Sequence, residues 1–155
     1  MNKEIEFDFP EVGIKFSATL WEVNEPELCT TLWKKLESPI KLFCRHTLST
    51  GCEFGCASRP PKHPVKSGTQ AQPLATRKTL LSRLEPGNVV YSIAGGMGEI
   101  VFCYGPCTEP LPARGGVVAR AIGKDLNELV KVGKAVWNAQ YITHSLITVI
   151  ARRKV

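Results

Sequence analysis

A chain of 155 residues with 43% hydrophobic composition can bury one sizeable core but is short for two typical domains, so residues 1–155 are expected to form a single domain. Its 22% charged and 8% aromatic content excludes the low-hydrophobicity, high-charge composition of disordered chains. The net charge of +6 comes from scattered positions such as Lys34, Lys35, Lys131 and Lys134, and without a basic stripe interleaved with aromatics it argues against a nucleic-acid module.

From Glu4 to Trp21 apolar residues alternate, through Ile5, Phe7 and Phe9 and then Ile14, Phe16, Ala18 and Leu20, around a Pro10–Gly13 break. Period two on both sides of such a break predicts a β-hairpin. The acidic residues in this opening stretch leave no apolar run for a signal peptide, and no segment approaches the roughly 18 apolar residues of a membrane span. A cytoplasmic protein with no membrane association is expected, its six cysteines reduced.

Asn24 stands before Glu25, Pro26 and Glu27 as an N-cap candidate, and Leu28, Leu32 and Leu36 fall on one helical face, so a helix is expected near residues 25–36. Ile40, Leu42, Cys44 and His46 then share one side of a strand while Lys41, Phe43 and Arg45 share the other. A short strand follows at Cys52–Ala57, and residues 58–76, rich in Pro, Lys, Ser and Thr, form a long loop that serves as a lid or a solvent excursion. Leu80, Leu81 and Leu84 lead to a turn at Glu85–Asn88, after which strands at Val89–Ile93 and Glu99–Gly105 meet across the glycine-rich turn Ala94–Gly98.

A Pro-rich passage from Pro106 to Pro112 precedes a strand at Val117–Ile122. Asp125 with Glu128 reads as a capping box for a second helix at 125–137, Tyr141–Ala151 as the last strand, and 151–155 as a basic tail. About seven or eight short strands with two amphipathic helices avoid open edges by closing into a barrel that the helices cap, a mainly β fold.

The run from Pro86 to Gly105, followed by Val117–Gly123, the Asp125–Trp137 helix and Asn138–Ile142, resembles bacterial cyclophilin-like proteins whose function is not established. That resemblance implies a closed cyclophilin-like β-barrel of about eight strands with two capping α-helices, in agreement with the element count. Classical cyclophilins are prolyl isomerases that use an arginine on a Phe-His-Arg strand. Here Phe43-Cys44-Arg45 supplies an arginine, while the remaining groove segments have no counterpart and the passage from Pro110 to Gly116 stands in place of one of them.

Under the fold so implied, the strand of Arg45 and His46 runs near the strand of Glu99 and Tyr104. The expected site takes His46 and Glu99 as proton-moving catalytic groups and Arg45, Glu53 and Tyr104 as ligand-binding groups, with the 58–76 loop as cover. Cys44, His46, Cys52 and Cys56 are metal-ligand types but lack Cys-x2-Cys spacing, and Cys103 and Cys107 lack an adjacent base, so core cysteines without metal or cofactor are expected. The functional expectation is a small polar metabolite bound beside the barrel, with catalysis and homo-oligomerisation left open. The alternative is a prolyl isomerase or peptide-binding module with a degenerate groove.

Overall fold

A computed structural model describes residues 1–65, 84–93, 98–107 and 115–155. Eight strands, all paired antiparallel, close into a barrel: β1 (Glu4–Phe9), β2 (Ile14–Leu20), β3 (Ile40–His46), β4 (Gly51–Ser58), β5 (Asn88–Ser92), β6 (Gly98–Cys107), β7 (Gly115–Arg120) and β8 (Thr148–Arg153). Around the barrel the order is β1-β2-β7-β5-β6-β4-β3-β8. The helices are α1 (Pro26–Lys35) and α2 (Lys124–Asn138). This is the mainly β, eight-stranded closed barrel with two helices read from the sequence. No described helix is long and apolar enough to cross a membrane.

Alternation sends Phe7, Phe9, Phe16, Phe54 and Phe102 inward, all of them buried. Phe102 sits at their centre, stacked on Phe54 at 4.9 Å between centroids and edge-on to Phe7 at 4.8 Å. The same core takes in Leu28, Leu32 and Leu36 from α1 and its exit, and Leu129, Val132 and Val136 from α2. The helices therefore close the barrel's two ends. α2 lies where β3 finishes and β4 starts, as shown by Gln140, just beyond it, bonding to His46. α1 lies where β3 starts and β4 ends, its last residue Lys35 donating to the Arg59 carbonyl at 2.8 Å.

Both helix starts differ from expectation. Glu25 and not Asn24 precedes the first turn of α1; the Asn24 side chain is buried and donates to the Val117 carbonyl at 2.8 Å, tying the chain before α1 to β7. Gly123, with φ 57°, precedes α2, and Asp125 forms no capping box; its Oδ1 accepts the Ser17 amide at 2.8 Å, anchoring the helix to β2. In both cases a tertiary partner outcompetes the local cap.

The final strand is also shorter than 141–151. A π-helical turn, Ala139–Thr143, prolongs α2, and β8 begins only at Thr148. β8 continues to Arg153, where Arg152 reaches Glu6 and Asp8 on β1, so only Lys154 and Val155 of the expected tail lie beyond it. The greater part of the 58–76 loop, Leu80 and Leu81, most of the turn after β5 and most of the Pro-rich passage after β6 lie outside the described residues.

Candidate functional site

The five residues expected to form one site are distributed over two faces of the barrel wall. His46 and Tyr104 point inward at the α2 end, because His46 pairs with Phe54, which pairs with Phe102 two positions before Tyr104. Arg45, one residue from His46, points outward and is exposed. Glu53 and Glu99 are on the outer side of β4 and β6, Glu99 near the opposite end of the strand from Tyr104. Pleating thus separates Arg45 from His46, and strand length separates Glu99 from Tyr104.

At the α2 end the polar groups satisfy one another. His46 Nδ1 lies 2.6 Å from the Thr47 carbonyl, which can only accept, so Nδ1 carries the proton and Nε2 accepts from the Tyr104 hydroxyl, also at 2.6 Å. Gln140 accepts the His46 amide at 2.6 Å and donates to its carbonyl at 3.1 Å, so one amide side chain continues the ladder where β3 ends. Trp137 closes over the imidazole edge-on at 5.0 Å. Burial holds the His46 imidazole below its ordinary value and pushes the Tyr104 phenol up to about 12. α2 comes this close because Gly133 faces the Tyr104 ring, where any Cβ would collide with it.

Glu53 is fully buried; Thr50 donates to its carboxylate and Cys107 Sγ stands 3.9 Å away. Burial raises its carboxyl above the ordinary value, with the Glu99 charge adding to the effect. Glu99 lies over Gly55, occupying the space a side chain there would need.

The sulfurs form two close thiol pairs, Cys44–Cys56 at 3.4 Å inside the barrel and Cys103–Cys107 at 3.3 Å. Hydrogen bonding from Cys107 lowers the Cys103 thiol. Among the described residues, no three His, Cys, Asp or Glu side chains converge to hold a metal.

Among the cavities lined by the described residues, two differ in an informative way, one towards each end of the barrel. One of about 410 Å³ beside α2 is lined by Arg45, Gln140 and His144, the last in a left-handed conformation with φ 54°. Arg45 has no ion-pair partner among the described residues.

The other cavity, about 480 Å³, opens between the end of α1 and the segment after β4. Lys34, Lys35, Arg59 and Lys62 line it together with His63 and an apolar wall that includes Pro60, Pro61 and Val65, and no described carboxylate does. Tyr91, on the inner face of β5, reaches its wall; this residue is fully buried and its hydroxyl has no hydrogen-bond partner among the described residues. An unsatisfied buried hydroxyl costs about 1–3 kcal/mol, which makes it an exception in a folded chain. Sequence reading passes over Tyr91 as one more strand residue, and over the cations as solvated surface; the only signal is a tyrosine in the apolar run Val89–Ile93.

The sequence matches no protein-family model and no curated protein. Among solved structures, the chain is similar to McbB in complex with tryptophan, with a TM-score of 0.76 and 25% identity over 97% of this chain and 44% of that one. It thus spans less than half of McbB's length. It is also similar, at the level of fold, to the solution structure of the hypothetical protein AF2241 from Archaeoglobus fulgidus, with a TM-score of 0.55 and 17% identity over 99% of this chain and 95% of that one.

Proposed function

We propose that this barrel binds a small organic molecule and that the ligand enters the cavity at the α1 end. The observation that carries this reading is Tyr91, a fully buried residue at the wall of that cavity whose hydroxyl has no protein partner among the described residues. A ligand acceptor would complete its hydrogen bonding. The cavity volume falls within the roughly 300–1,000 Å³ of small-molecule sites, and mixed apolar and polar walls are what such sites use for contact area and orientation. The tryptophan in complex with McbB, which this chain resembles over 97% of its own length and 44% of McbB's, supports a ligand of amino-acid size.

The test is thermal unfolding with L-tryptophan and a panel of metabolites, followed by the same measurement on Tyr91→Phe. A ligand at 100 times its dissociation constant stabilises by about 2.7 kcal/mol, and that gain is expected to shrink in the variant. A ligand that stabilises both proteins equally places the site elsewhere.

A second reading rests on Phe43 and Arg45, both exposed on the outer face of β3. An aromatic and a guanidinium side by side suit a peptide, in keeping with the cyclophilin-like resemblance, and Arg45 also borders the cavity beside α2. In this reading Arg45 binds the peptide. Prolyl isomerisation of a model peptide that disappears in Arg45→Ala favours this reading over the first.

A further inference from the structure

The cavity at the α1 end carries information about charge as well as shape. Four cationic side chains, Lys34, Lys35, Arg59 and Lys62, line one concavity without a described carboxylate among them. Lys35 is half-buried and spends one hydrogen on the Arg59 carbonyl at 2.8 Å; burial, and then the neighbouring Arg59 guanidinium, hold its ammonium below the usual lysine value. Several cations elsewhere meet carboxylates, Arg152 with Glu6 and Asp8, Lys3 with Glu22 and Lys154 with Glu4. Like charges gathered in a recess repel one another, and a bound anion removes that repulsion while accepting their hydrogens.

We infer that this cavity recognises an anionic group, a carboxylate or phosphate, on a ligand with an apolar body, the anion meeting Lys35, Arg59 and the Tyr91 hydroxyl and the body lying against Pro60, Pro61 and Val65. The inference rests on the small-molecule reading above and adds its ligand class. Tyr91 supplies what surface cations lack: a neutral, fixed donor that loses little freedom when an acceptor arrives.

The test uses matched probes on the full chain, labelled with nitrogen-15: 3-phenylpropionate and phenyl phosphate as anions, and 3-phenylpropylamine as a cation with the same body. Both anions, or one of them, are expected to shift the backbone amides of Lys35, Arg59 and Lys62 with at least about tenfold tighter binding than the amine, the scale of one charge-assisted hydrogen bond. The stronger of the two identifies carboxylate or phosphate. Raising ionic strength is expected to weaken the anions selectively. Tyr91→Phe is expected to weaken anion binding about tenfold with its amide spectrum otherwise unchanged, and Arg59→Gln to do so independently. If the amine binds at these amides as well as the acids do, the anionic class is overturned while the small-molecule reading stands. If L-tryptophan and all three probes leave these amides unmoved, both fall. Shifts confined to Arg45 and His144 overturn the placement alone.

Discussion

The two ends of this barrel are closed by the same kind of part, an amphipathic helix laid on a ring of strand ends, yet they treat their polar groups differently. At the α2 end His46 is bonded to Thr47, Tyr104 and Gln140, so each of these polar groups has a partner. At the α1 end Tyr91 finishes without a described partner beside cations that no described carboxylate offsets. A buried network with every member satisfied rigidifies a fold, whereas a buried polar group left open in a native chain calls for an explanation such as a water, an ion, strain or a ligand. The contrast suits the α2 end to structure and, under the reading proposed above, the α1 end to binding, although His46 and Tyr104, which the sequence singles out, sit at the structural end.

The largest effect is expected where α2 touches Tyr104. Gly133→Val places a branched side chain into the ring and is expected to destabilise by about 1–3 kcal/mol or more through overpacking. Denaturant unfolding measures it, and combining it with Tyr104→Ala is expected to recover part of the loss. Simple additivity of the two would mean that the ring is not what Gly133 accommodates. Gln140→Ala removes both bonds to the His46 backbone, half-buried groups whose loss is expected to cost about 1–3 kcal/mol. Amide exchange at His46 should accelerate, and exchange unchanged there would remove Gln140 from the latch.

Smaller is the dependence on pH, in which His46 and Glu53 act in opposite directions. Burial depresses His46 below 6.5, so the unfolded chain takes up a proton that the folded chain refuses. The stability it contributes is therefore complete above about pH 6.5 and lost as pH falls from there through the folded value. Glu53 is raised above 4.5 by burial, so the folded chain keeps a proton that the unfolded chain has lost, and this contribution is present below pH 4.5 and lost as pH rises through the folded value. Glu53→Gln is accordingly expected to gain stability at pH 7 relative to wild type, with a smaller gain at pH 4. Urea unfolding at the two pH values checks this; a gain independent of pH would disconnect the carboxyl from the effect.

Much of the architecture is legible in the chain because its signals are strong and local. Ile5, Phe7 and Phe9 alternate without interruption, and Leu28, Leu32 and Leu36 recur every fourth residue, so strand and helix follow from period alone. Errors arise where a local signal meets a distant partner. Asn24 and Asp125 have the chemistry of helix caps, and β7 and β2 claim their side chains. Tyr141, Ile142 and Leu146 look like strand residues because they are apolar, yet Ile142 and Leu146 are exposed in and after the π-helical turn. The candidate site was the least legible. Alternation already separates Arg45 from His46, but which tyrosine, Tyr91 or Tyr104, meets a partner among the described residues depends on whether a histidine lies two strands away, and that is decided by strand order and register.

The most direct measurement sets those two tyrosines against each other by removing one oxygen from each. In the ligand-free protein Tyr104→Phe is expected to lose about 1–3 kcal/mol, because the buried His46 Nε2 is left without its donor, and Tyr91→Phe to be neutral or stabilising, because it deletes a hydroxyl with no described partner. Affinity for the anionic probe should invert that order, with Tyr91→Phe weakened about tenfold and Tyr104→Phe close to wild type. If Tyr91→Phe is the less stable variant while binding the probe as tightly as wild type, the assignment of the two ends is reversed.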